Sequence, residues 1–104
     1  MDFNLSEEDL ELKEMARELA EKRIYPRAME MDEKGETPQD LIQECAENGY
    51  FGITVPEAYG GMDGGAFDSY RVCEVMARHD IGLATAVFAT FLGSDPILVG
   101  ATEE

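Results

Sequence analysis

The run "IGLATAVFATFL", Ile81–Leu92, decides how the rest of the chain reads. It carries no charge, and on a helical wheel apolar or small side chains fall on every side. A surface helix keeps a polar face, so an apolar girth marks a helix enclosed by neighbours. The run therefore predicts a long last helix at the centre of an all-α bundle of about five or six helices. Small Gly82, Ala84, Ala86 and Ala89 alternate with bulky Val87, Phe88, Phe91 and Leu92. That alternation is the usual mark of core packing, and it also suits the wall of a slot for an apolar ligand. Gly93-Ser94-Asp95-Pro96 reads as a break, with "PILVG" as a short final turn. The uncharged stretch Ile81–Ser94 falls short of the roughly 20 residues needed to cross a bilayer, so no membrane span is expected.

Upstream of this run, helix signals recur. Ser6 followed by Asp9 has the form of a capping box. Leu12, Met15, Ala16, Leu19 and Ala20 then make one apolar stripe on an otherwise charged helix. Pro26 stops or kinks it, and a further turn or two to about Glu33 ends at Gly35. Thr37-Pro38-Gln39-Asp40 repeats the starting logic with Thr37 as cap, for a helix to about Glu47 closed by Asn48-Gly49. Tyr50–Pro56, "YFGITVP", is β-branched and aromatic but short, which predicts an extended connector or isolated strand. Phe67, Tyr70, Cys73, Val75, Met76 and Ala77 give the next helix, to about Arg78.

The chain has 104 residues, 44% of them hydrophobic, which fits one small domain. With 23 Asp and Glu against 8 Lys and Arg the net charge is −15, so a polyanion is repelled and nucleic-acid binding is disfavoured. The carboxylates are spread along helices, where a solvated surface is the plain reading. Cys45 and Cys73 sit on apolar helix stripes and show no metal-ligand spacing, so they read as small hydrophobes. The acidic opening "MDFNLSEED" lacks the basic character of a targeting segment, and a cytoplasmic setting is expected.

Four glycines crowd "YGGMDGGAF", at Gly60, Gly61, Gly64 and Gly65. The order fits neither phosphate-binding pattern, and Asp63 would repel a phosphate, so the glycines serve a turn that needs positive φ or close backbone approach. His79 has no nucleophile at a triad spacing and is placed to meet helix-end carbonyls. Asp63 and Asp68 lack the ligand order of a calcium loop.

Taken together, "LSEED" with "IYPRA", "ENGYFGITVPEAYGGMDG", "EVMARHD" and "PILVGATEE", in that order, resemble the N-terminal helical domain of the acyl-CoA dehydrogenase family. Pro56–Gly61, Pro-Glu-x-Tyr-Gly-Gly, is the most specific element, and the resemblance covers essentially the whole chain. It implies a flavoenzyme that dehydrogenates an acyl-CoA thioester with FAD, passes electrons to an electron-transfer flavoprotein and forms a homo-oligomer when full length. It also implies that the FAD-binding β domain and the C-terminal catalytic helical domain are absent from residues 1–104. No catalytic or cofactor-binding residue is then carried by this chain, and 1–104 alone is expected to be inactive. By the same resemblance Phe88, Ala89 and Leu92 line the acyl tail. Bulky Phe88 implies a blunted pocket, and Ala84 stands where glutaryl-type relatives present an Arg, which disfavours a dicarboxylic substrate. Glu74-Val75, Ala101 and the end at Glu104, within a capping sequence, depart from the family pattern; the last implies an excised or split polypeptide. A contrasting expectation is a free-standing acidic helical adaptor for a protein partner or apolar ligand.

Overall fold

The computed structural model describes residues 4–103; Met1–Phe3 of the acidic opening and Glu104 lie outside the described residues. Six α-helices follow one another: α1 Glu7–Leu19, α2 Ala28–Lys34, α3 Gln39–Glu47, α4 Ala66–Ala77, α5 Ile81–Phe88 and α6 Phe91–Gly100. No strand occurs among the described residues, as an all-α chain requires.

The capping box at α1 forms as read. The Ser6 hydroxyl accepts from the Asp9 amide and the Asp9 carboxylate accepts from the Ser6 amide, both at 3.1 Å. Ala16, Leu19 and Ala20 go into the core, while Met15 stays half exposed. Ahead of Pro26 the helix widens into a π turn, Ala20–Ile24, then tightens into a 3-10 turn, Tyr25–Arg27, so the kink spreads over two turns. Gly35 and Gly49 close α2 and α3 in the left-handed region, φ +64° and +81°.

At α3 the expected Thr37 cap gives way to Pro38, whose extended backbone offers its carbonyl to the Ile42 amide at 3.2 Å. Asp40, freed from capping, pairs with Arg27 at 2.5 Å. Tyr50–Pro56 is not extended: a 3-10 turn, Tyr50–Gly52, buries Tyr50, and the tight turns after it bury Ile53. Those two residues serve as core plugs, which is why aromatic and β-branched types stand there without a strand.

The apolar run behaves differently from its reading. α5 ends at Phe88, and Ala89–Thr90 form a turn of three-residue bonds, from the Thr90 amide to the Val87 carbonyl and from the Leu92 amide to the Ala89 carbonyl, before α6 begins. Gly93-Ser94-Asp95-Pro96 is no break; it lies inside α6, where Pro96 removes one bond of the ladder. Nor is the run the centre of the bundle. α4 holds that place, packed on α1 on one side and α5 on the other, with Val72, Val75 and Met76 buried. On α5 only Leu83, Ala84 and Val87 are buried, Ile81 is 74% exposed, and α6 buries no residue at all. The stretch Ile81–Gly100 is also 20 residues long with mean hydropathy 1.5, so by length and composition it reaches the size of a membrane span that the uncharged run alone did not. Its α5 half is nonetheless built into the bundle core.

Candidate functional site

The glycine segment is a closed loop. The amides of Met62, Asp63 and Gly64 return to the carbonyls of Gly52, Val55 and Ile53 at 2.9, 2.9 and 2.7 Å. A Cβ at Gly61 would stand 2.1 Å from the Val55 carbonyl oxygen, and one at Gly64 would stand 2.8 Å from that of Ile53. Gly60 takes φ +83°. The glycines thus serve both close approach and positive φ, and their amides are spent on the chain's own carbonyls. Asp68 turns its carboxylate onto the Gly65 amide at 2.7 Å and onto Arg71 at 3.1 Å. Among the described residues no group of three or more His, Cys, Asp or Glu side chains converges.

Phe88, Ala89 and Leu92 differ in exposure. Phe88 is half-buried and lies beside Phe91, ring centroids 5.7 Å apart at 33°. Ala89 and Leu92 are exposed, Leu92 at 81%. Along α6, Val99 lies two turns on from Leu92 on the same helix face, and Ile97 is exposed on another side. Phe88 and Phe91 roof a groove of about 260 Å³ whose other walls are Thr54, Ser69, Tyr70 and Cys73. The hydroxyls of Thr54 and Ser69 are buried without a hydrogen-bond partner among the described residues. The sequence pattern that marked this helix did not reveal the groove; its Phe67 and Tyr70 are exposed, at 72% and 64%, and meet edge to face.

The carboxylates displaced from their ordinary range, Asp9, Glu14, Glu30 and Asp40, are all held below it by hydrogen bonds from Ser6, Arg17, Lys34 and Arg27 respectively. A general base needs the opposite shift. Burial pushes the Cys45 thiol up to about 11 and raises that of Cys73, which keeps both protonated and poorly nucleophilic. His79 does not reach helix-end carbonyls with its ring; the imidazole packs edge-on against Tyr25 at 5.6 Å.

Comparison with known proteins gives a family model, acyl-CoA dehydrogenase N-terminal domain, over residues 6–104. A probable acyl-CoA dehydrogenase of Bacillus subtilis, YngJ, is 34% identical over 106 residues, covering all of this chain and 28% of its own length. Subunit CarC of the caffeyl-CoA reductase-Etf complex of Acetobacterium woodii is 33% identical over 95% of this chain and 27% of its own. Among solved structures, butyryl-CoA dehydrogenase from Megasphaera elsdenii superposes with TM-score 0.88 at 36% identity, covering 99% of this chain and 28% of that one. A chain from work on the electron transferring flavoprotein of Acidaminococcus fermentans superposes with TM-score 0.93 at 36% identity, over 99% and 27%. The chain thus spans little more than a quarter of the length of these relatives.

Proposed function

Since the chain belongs to the acyl-CoA dehydrogenase family, as its N-terminal helical domain, we propose that it walls one side of the acyl pocket in an enzyme that dehydrogenates an acyl-CoA thioester at its α and β carbons. Phe88, Ala89 and Leu92 line the fatty tail in this reading. The observation that carries it is the apolar outer surface of α5 and α6. Leu92, Ile97 and Val99 are 81%, 65% and 89% exposed on a chain that matches an acyl-CoA dehydrogenase N-terminal domain and covers only 28% of the butyryl-CoA dehydrogenase chain it superposes on. An apolar surface of that kind is the signature of a binding or packing face.

FAD supplies a hydride acceptor in such enzymes. In the glycine loop the amides of Gly60, Gly61 and Gly64 are bonded to internal carbonyls and that of Gly65 to the Asp68 carboxylate, which supports a turn rather than a phosphate cradle there. In this reading the flavin and the catalytic base belong to other domains of a longer enzyme, and residues 1–104 alone are inactive. The chain's own task is exclusion of water and shaping of the tail. A dry wall strengthens the electrostatics that polarise a thioester carbonyl. An electron-transfer flavoprotein as acceptor and a homo-oligomeric full-length enzyme complete the reading. The free thiols of Cys45 and Cys73 are consistent with a reducing, cytoplasmic setting.

The test compares dye reduction by acyl-CoA substrates for residues 1–104 and for the same chain extended along its reading frame. Turnover and a bound-flavin spectrum are expected only from the longer form; turnover by the short one overturns the proposal. In the longer enzyme Leu92→Trp should lower kcat/KM for long acyl chains at least about tenfold relative to short ones, the scale on which pockets discriminate methylenes.

A further inference from the structure

The groove under Phe88 and Phe91 has a feature that an acyl wall does not need. Two hydroxyls, Thr54 Oγ1 and Ser69 Oγ, are out of reach of bulk water and unpartnered among the described residues. Ser69 as a whole is only 8% exposed. A helical serine can return its hydroxyl to the carbonyl four residues back, as Thr85 does to Ile81 at 2.8 Å; Ser69 makes no such bond. Leaving a buried polar group unpaired costs about 1–3 kcal/mol. Plain core packing would have favoured Ala and Val at these positions.

Around the hydroxyls the lining is mostly aromatic and apolar, Phe88, Phe91, Tyr70 and Ala66, with the protonated Cys73 thiol. Asp95 joins the lining, and on a chain of net charge −15 it disfavours an anion. Rings take a ring well in offset or edge contact. We propose that this groove is a subsite for an uncharged, hydroxyl-bearing aryl end of a ligand, with the ligand hydroxyl bonded to Ser69 and Thr54 and the Phe88 side chain turning to admit it. The proposal goes beyond the acyl-wall reading and rests on it only in taking an acyl group as the carrier of that ring.

The probes are 4-ethylphenol and ethylbenzene, which differ by the hydroxyl alone. They are titrated into the natural polypeptide that contains residues 1–104, and amide shifts at Thr54, Ser69 and Phe88 are followed by NMR. The phenol should bind about tenfold more tightly, the worth of one net hydrogen bond. The double variant Ser69→Ala, Thr54→Val should erase that preference while keeping the fold, since both changes remove only unpaired polar atoms. Equal binding of the two probes, a preference that survives in the double variant, or no saturable shift at these residues overturns the proposal. Leu92→Trp, on the outer face, should leave the phenol preference unchanged. A Leu92→Trp enzyme with an unaltered chain-length profile but an intact phenol preference would therefore sink the acyl-wall reading and leave the groove standing.

Discussion

Gly61 and Gly35 are both turn glycines, yet they are needed for different reasons. At Gly61 a Cβ would collide with the Val55 carbonyl at 2.1 Å, whereas at Gly35 nothing lies within 4 Å and only φ +64° stands against a side chain. Gly35→Ala should therefore cost about 1 kcal/mol, the ordinary penalty of the left-handed region. Gly61→Ala must push the loop apart and should cost more than about 2 kcal/mol. Urea unfolding of the two variants tests the order. A second pair separates the two faces of the apolar run. Leu83 is 1% exposed and Leu92 is 81% exposed. Leu83→Ala should cost about 2–5 kcal/mol and Leu92→Ala less than about 0.5. Sequence alone makes these leucines equivalent, because each sits in the same uncharged context and burial depends on what lies opposite.

At the scale of elements, Arg71 ties the start of α1 to the start of α4. Its guanidinium reaches Asp9 at 3.0 Å and Asp68 at 3.1 Å, and each of those carboxylates also accepts the amide that opens its own helix. The Ser6 amide chiefly, with the Ser6 hydroxyl and then Arg71 adding to it against a smaller effect of burial, holds Asp9 below its ordinary value of 3.8. A carboxyl whose folded pKa is depressed contributes stability that is fully present above its unfolded pKa and is lost as pH falls through the folded one. Acid titration should thus show stability falling below about pH 4. In Asp9→Asn the fall should be shallower, as monitored by the urea midpoint at each pH. The Ser6–Asp9 box was legible because a cap is written in four consecutive residues. The bridge to Arg71 was not, since 62 positions separate it from Asp9 and only packing of α4 on α1 brings them together. The same limit hid the Pro38 cap of α3, where the choice between Thr37 and Pro38 rests on how the chain enters the helix.

For the molecule as a whole, charge and exposed apolar surface pull in opposite directions. A net charge of −15 repels itself in the compact state and keeps copies apart. Moderate salt shortens that repulsion to a Debye length of about 8 Å. Raising ionic strength from low to near 0.15 M should therefore raise the urea midpoint and, with α6 uncovered, increase self-association seen by light scattering; a flat response in both would show that the carboxylates are too dispersed to matter. What the sequence determined alone is everything written locally or by period: an all-α chain of about five or six helices, the capping box, the left-handed glycine stops, the acidic solvated faces, and the ordered motifs that mark the family. What only the tertiary structure decided is which side of each helix is covered. α4 took the centre and the most apolar stretch was interrupted at Ala89–Thr90, with most of α6 exposed, because hydropathy records a side chain's dislike of water but not whether a neighbour lies close enough to replace it.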